Sequence, residues 1–271
     1  MIRGIYTAAR GMSVEQKKQE VITNNLANSN TVGYKEDITL VRSFPELLTL
    51  RTEKGQGITI GVSGQGALLD DIITRHLPGS VEETEKPLDL AIVGNGLYPV
   101  EGGGDAGQAV GTAFFTLGTP QGIRYTRDGS FSLDGEGFLV NNDGYYVLGT
   151  DNEPLQIDTD KVQIDAAGVI RREEGQGPEN AGQLAIAVFA LEDLQGLEKR
   201  GQNLFEAVEV NPIPQVLAQV RQGMLEQSNV NAINEMVNMI TVMRTYEANQ
   251  KALQAQDEML GKSVNEVGNL R

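Results

Sequence analysis

Catalysis and metal binding need particular side chains in particular company, and this chain offers few of them. Its 271 residues include one histidine, His76, and no cysteine. A lone imidazole excludes multi-histidine metal sites, and without cysteine there is neither a thiolate site nor a disulfide framework. His76 is the one candidate imidazole base, but it sits beside Arg75 and close to Pro78 in a segment without a nucleophile. It reads as a surface-loop residue. The acidic pairs Asp70-Asp71 and Glu82-Glu83 could meet a cation, yet neither has calcium-loop spacing, and each reads as a solvated face. Gly102-Gly103-Gly104-Asp105-Ala106-Gly107 satisfies the G-x-G-x-x-G string. It follows a strand, but no βαβ unit surrounds it, which favours a flexible loop. No catalytic constellation survives, so the reading is no enzyme, no cofactor and no metal.

Asp and Glu number 37 against 22 Lys and Arg, a formal net charge of −15. That balance repels phosphate backbones and argues against a nucleic-acid partner; its plain meaning is solubility. Arg10, Glu15, Lys17 and Lys18 interrupt the first residues too early for a signal-peptide core. No window approaches the roughly 18 apolar residues of a membrane span. The expectation is a protein that stays in the cytosol or is exported without a cleaved signal.

The length suits one large domain or two modest ones, and the elements that could position any site are distributed unevenly. Both ends read as long, Pro-free helices, while the middle is Gly-rich and strand-like. Ile5, Ala8/Ala9, Met12, Glu15/Gln16, Gln19, Ile22 and Leu26 recur at heptad spacing. Gln and Glu dilute that seam, which suits a helix in a multi-helix assembly better than a free-standing coiled coil. Gly11 inside the helix costs about 1 kcal/mol relative to Ala and predicts a close backbone approach. At the other end Asn231 is the expected N-cap. Met236, Met239, Met243, Tyr246, Gln250, Leu253, Asp257, Leu260, Val264 and Val267 then keep a 3-4 repeat, with Ile233, Val237 and Ile240 beside it. Apolar residues on two adjacent ridges predict contact with more than one helix. A helix of about 38 residues would run roughly 57 Å, too long for a compact domain of this size.

Between the first helix and the β region lies Asn24-Asn25-Leu26-Ala27-Asn28-Ser29-Asn30-Thr31-Val32-Gly33-Tyr34-Lys35. Clustered Asn side chains compete for backbone groups and favour helix ends and turns. Gly33 can supply a positive φ. Short strands are expected at Leu88–Val93, Phe114–Leu117, Ile123–Thr126, Ser130–Leu133, Phe138–Val140, Tyr145–Leu148, Val162–Ile164 and Leu184–Phe189. Asp128-Gly129, Asp134-Gly135 and Asp143-Gly144 read as hairpin turns. The fold expected is α+β: paired, coiled-coil-like terminal helices with a central antiparallel β-sandwich or barrel. The boundaries read as helix 1–35, extended linker arms 36–80, β domain 81–200, return linker 201–225 and helix 226–271.

Three blocks in order carry a resemblance. Asn24-Asn25-Leu26-Ala27-Asn28 with Thr31 and Gly33-Tyr34-Lys35 resembles the amino-terminal signature of bacterial flagellar rod, hook and hook-associated proteins. Leu225-Glu226-Gln227-Ser228-Asn229-Val230-Asn231, followed by Glu235–Ile240 and Arg244–Asn249, resembles their carboxy-terminal signature. Pro87–Gly96, Tyr125–Phe131 and Asp134–Val140 look like blocks of the central domain in rod and hook members. The chain departs from that pattern at Leu97-Tyr98, where two Phe are usual, and in Glu101–Gln121, which reads as an insertion. Segment 44–75 is also short beside some distal-rod members.

The resemblance implies an axial subunit of the basal-body rod, most like the distal type, with a hook or proximal-rod subunit as the alternative. It implies export by the flagellar secretion apparatus, termini disordered before assembly, and a helical polymer in which terminal helices form the inner tube. The β domain would carry torque to the hook. The partners implied are copies of itself and other rod or hook subunits. The implied assembly residues are Asn24, Asn25, Leu26, Asn28, Thr31, Gly33, Tyr34, Lys35, Leu225, Glu226, Ser228, Asn229, Val230, Asn231, Met236, Met239, Met243 and Tyr246. From a different class, a cell-wall or carbohydrate-binding β domain on a helical stalk would need a pair of carboxylates, and none can be isolated.

Overall fold

A computed structural model describes the chain except residues 1, 46, 54–55, 65, 94–95, 100–107, 158–161, 173–179, 191–192, 202, 209, 213–218 and 269–271. The Gly102–Gly107 string therefore lies outside the described residues. The chain forms two compact units, each assembled from segments far apart in sequence. One holds residues 1–27, 37–73 and 231–271; the other holds 28–36 and 74–230.

In the first unit, α1 (Ile2–Ala27) pairs with α2 (Ala232–Gly268) from the far end of the chain. The helices run antiparallel, since Gly4 faces Gln256 and Gly11 faces Asn249. The approach at Gly11 is made by a side chain rather than by a backbone. A Cβ there would lie 3.0 Å from Asn249 Nδ2. Ala8, Val14 and Ile22 of α1 and Val242 of α2 are buried. Asn231 Oδ1 accepts from the amides of Ile233 and Asn234 at 3.0 and 3.1 Å, so the N-cap is as expected.

The seam of α2 is offset from the expected one. Glu235, Met239, Val242, Tyr246, Asn249, Leu253, Gln256 and Leu260 are its buried and half-buried positions, while Met236 and Met243 are exposed. The expected and observed ridges share Met239, Tyr246, Leu253 and Leu260 and differ by one residue elsewhere, where the inward ridge takes Glu235, Val242, Asn249 and Gln256. Gly4 and Gly11 of α1 leave room for the Gln256 and Asn249 side chains of that ridge.

Residues 36–80, expected as linker arms, are largely paired. β1 (Asp37–Ser43) pairs with β4 (Ala67–Thr74). Between them β2 (Leu47–Glu53) and β3 (Gln56–Ser63) form an antiparallel hairpin with a bulge at Thr49/Leu50. Arg10 of α1 places its guanidinium 4.1 Å from the centre of the Phe44 ring, a cation–π contact.

The second unit is antiparallel throughout. β5 (Val81–Glu83), β6 (Leu90–Val93) and β7 (Gly96–Pro99) precede β8 (Gln108–Thr119), the spine of a nine-stranded sheet. β9 (Gly122–Thr126), β10 (Phe131–Leu133), β11 (Leu139–Asn141) and β12 (Tyr146–Val147) follow as hairpins. β13 (Val162–Ile164), β14 (Val169–Arg172) and β15 (Asn180–Gln183) make a separate three-stranded sheet. β16 (Ile186–Ala190) returns to β8, and β17 (Leu197–Lys199) and β18 (Leu204–Ala207) extend the large sheet beyond β9. β19 (Gln219–Gln222) pairs with β6, and β20 (Met224–Glu226) with β5.

The order β10-β11-β12-β8-β9-β18-β17 ends in two free edges, so the described strands close no barrel, and the pairing does not define a two-sheet sandwich. Half of the presumed insertion 101–121 is β8 itself. The expected strand Phe114–Leu117 is its inner part, and Gly111 and Gly118 hid its full length, because glycine weakens a strand signal without forbidding the strand. Alternation along β8 divides the core in two. Ala113, Phe115 and Leu117 enter a large cluster with Leu90, Ile170 and Val220, whereas Phe114 joins Tyr125, Phe189 and Phe205. Asp134-Gly135 and Asp143-Gly144 do turn hairpins, with the side chains of Asp134 and Asn141 taking amides of their own loops. Asp128-Gly129 does not. Its Gly129 carbonyl accepts from Leu90 instead, tying the end of β9 to β6.

Candidate functional site

Two regions gather the residues singled out from the sequence, and they are chemically opposite. The first lies inside the β unit and collects the two signature segments. Gly33 has φ +69°, a left-handed conformation that glycine adopts without strain. A Cβ at Gly33 would sit 2.4 Å from the amide nitrogen of Asp128, so the position excludes any side chain. Its amide donates to the Glu226 carbonyl at 2.8 Å. On either side, Asn203 Nδ2 donates to the Val32 carbonyl at 2.9 Å and Lys199 Nζ to the Lys35 carbonyl at 3.2 Å. Lys199 also stands 3.9 Å over the Tyr34 ring. Segment 32–35 is held by backbone and side chains drawn from several strands, with no ladder of its own.

At the centre is a buried carboxylate. Glu226 Oε1 accepts from Lys35 Nζ at 2.6 Å and from the Gly79 amide at 2.8 Å. Its Oε2 lies 2.7 Å from Arg127 Nε. Lys35 is fully buried and Arg127 and Glu226 nearly so. Lys35 also donates to the Leu77 carbonyl at 2.8 Å, and Arg127 Nη1 donates to the Ala113 carbonyl. Burial pulls the Lys35 amine below the usual lysine range, and the Glu226 carboxylate opposes that pull. Gly79 passes so close to β20 that a Cβ there would lie 2.0 Å from the Gln227 carbonyl oxygen. Asn229 completes the set, accepting from the Glu36 amide at 2.8 Å and donating to the Arg75 carbonyl at 2.9 Å.

His76 is half-buried rather than exposed on a surface loop. Its ring packs 5.6 Å from Phe114 and 5.2 Å from Phe205, and both ring nitrogens are buried with no hydrogen-bond partner among the described residues. Burial, with Lys35, Arg127 and Lys199 nearby, lowers its pKa to about 3. The imidazole is therefore a neutral part of the aromatic core. Arg75 and Pro78 disguised this, because nothing local records that Phe114 and Phe205 meet there.

The remaining signature residues divide by location. Asn25 is buried in the first unit, where its side chain exchanges two hydrogen bonds with the backbone of Asp37, at 2.9 and 3.0 Å. Asn28 accepts from the Thr31 hydroxyl at 3.2 Å. Ser228 accepts from the Val230 amide, and Leu225 and Val230 are buried. Asn24 is exposed, and Leu26 is half-buried.

The second region is the outward face of α2. Ile233, Met236, Val237, Ile240 and Met243 are all exposed, from 46% for Met243 to 69% for Ile233. Their i, i+3, i+4, i+7 and i+10 spacing makes one apolar stripe that α1 does not cover. Met239 and Tyr246 lie on the half-buried side instead. Among the described residues no cluster of three metal-ligating side chains forms, and no helix is long and apolar enough to cross a membrane.

A protein of this class has its two chain ends paired as helices and a central antiparallel β unit that locks both signature segments. Comparison with known proteins gives the class its family. The family described as flagella basal body rod protein matches residues 5–35, the D1 domain of flagellar hook protein FlgE/F/G matches 109–172, and the C-terminal region of flagellar basal body rod FlgEFG protein matches 221–266. The flagellar hook-basal body complex protein FlhO of Bacillus subtilis is 32% identical, with 100% of each chain covered. The flagellar basal-body rod protein FlgG of the same organism is 32% identical, covering 98% of this chain and 99% of the relative. FlgG of Agrobacterium fabrum is 34% identical over 95% of this chain and 97% of the relative. The chain belongs to the flagellar basal-body rod family, and it is a structural rod subunit of the basal body.

Proposed function

We propose that this subunit occupies a distal-rod-type position, polymerises through its terminal helices and passes torque toward the hook without catalysing a reaction. The observation that carries this reading is the apolar stripe Ile233–Met243. Five large side chains facing water on one helix are costly for a monomer and useful for a polymer. Subunit contacts are accordingly assigned to that stripe and to exposed Asn24, with Met239 and Tyr246 backing the helix pair. Tyr34, Lys35, Glu226 and Asn229 act inside each subunit and set its geometry. The partners are further copies and neighbouring rod or hook subunits, and export proceeds through the flagellar apparatus. Nucleic acid and small-molecule substrates have no part in it.

The test is electron microscopy of purified hook-basal bodies carrying a tagged copy. Label confined to the distal rod supports the reading. Label along the hook or the proximal rod would assign the subunit there, and absence of label from basal bodies would reject it.

A further inference from the structure

We propose that Glu226 is the centre of a two-ended lock, in which segments 32–36 and 224–229 seat in the β unit only together. The carboxylate joins three stretches remote in sequence: Lys35 from the first, Gly79 from the second and Arg127 from the third. Each buried cation depends on that one anion. Without residues 224–229 the Lys35 ammonium has no countercharge, and burying it alone is strongly unfavourable. Without residues 32–36 the carboxylate keeps Arg127 but loses its 2.6 Å partner. The backbone bonds repeat the dependence. The Gly33 amide needs the Glu226 carbonyl and the Glu36 amide needs Asn229, while the Gln227 amide ties the second segment to the Ser80 carbonyl beside Gly79 at 2.8 Å. In a chain that arrives one end first, the clasp stays open until the second segment reaches it. The joint then closes as one event, apart from the sheets around it.

Amide hydrogen exchange on the full chain tests this, using Asn203→Gly. Asn203 has φ +58°, its side chain holds the Val32 side of the clasp and its carbonyl accepts from the Thr126 hydroxyl, so glycine keeps the turn and that carbonyl and removes the Nδ2 donor. The lock requires the Gly33 and Glu36 amides to exchange faster by about tenfold or more, and the Gly79 and Gln227 amides, which do not touch Asn203, to accelerate by the same factor. Interior amides of β8 and β16 should keep their wild-type rates. Acceleration confined to Gly33 and Glu36 would overturn the proposal, and so would acceleration of β8 by the same factor. Lys35→Met provides a second entry from the charged side. It should accelerate the Gln227 amide together with Gly33, and an unchanged Gln227 rate would again exclude the lock.

Discussion

The clasp and the outward face of α2 invert the usual assignment of polar and apolar groups. In the clasp, Lys35, Arg127 and Glu226 are almost wholly withdrawn from water. On α2, Ile233, Val237 and Ile240 are more than half exposed. A buried charge persists only where partners replace its water, so the clasp is committed to one internal geometry. An exposed apolar stripe is committed to nothing until a second surface covers it. In the proposed reading the polar region serves the single subunit, and the apolar stripe serves assembly.

The contrast can be broken most severely at Gly33. Gly33→Val forces a β-branched residue into a left-handed conformation and drives its Cβ into the Asp128 backbone. A loss of more than about 3 kcal/mol is expected in denaturant unfolding, with far fewer rods assembled. Near-wild-type stability would show that the turn is not demanding.

Glu226→Gln should cost about 3–5 kcal/mol by leaving two buried cations without an anion. Replacing the whole set, Lys35→Met with Arg127→Met and Glu226→Leu, should recover much of that loss, because no unpaired charge remains. If the triple variant unfolded as easily as the single one, packing rather than charge would govern the site.

Acid supplies a graded test. The unfolded His76 side chain takes a proton below about 6.5, while the folded one resists until about 3. Unfolding thus binds a proton across that window, and stability falls as pH drops from 6.5 toward 3, by at most about 1.4 kcal/mol per pH unit. His76→Phe should flatten this part of the pH profile in thermal melts. An unchanged slope would assign the acid sensitivity to other groups.

The smallest effect on stability and the sharpest on assembly are expected on α2. Met243→Asp, on the exposed stripe, should change monomer stability by less than about 0.5 kcal/mol and still abolish incorporation into basal bodies. Its neighbour Val242→Asp, buried against α1, should destabilise the monomer by about 2–4 kcal/mol. Equal losses from both would place the stripe in an intramolecular core.

The two helices, the Asn231 cap, the turn at Gly33 and most strands from Leu88 to Phe189 were legible because each rests on local chemistry: periodicity, capping and turn preference. The signature segments were legible as family motifs as well. Less was visible where a strand lacked its usual marks. β17 and β18 lie in a stretch of mixed polarity, and β1–β4 are separated by Pro45 and the Gly55–Gly66 cluster, which read as flexible points rather than as the turns of paired strands.

What the sequence determined alone is the two terminal helices, most strands from Leu88 to Phe189 and the absence of multi-histidine or cysteine chemistry. Tertiary structure decided which ridge of α2 turns inward, the one whose Asn249 and Gln256 meet Gly11 and Gly4 of α1. It also decided that His76 is a core aromatic and that Glu226 pairs with Lys35 across 191 positions of chain. Such partners are chosen by where distant strands cross, and a burial that costs free energy for each residue alone becomes tolerable only when all of them arrive together.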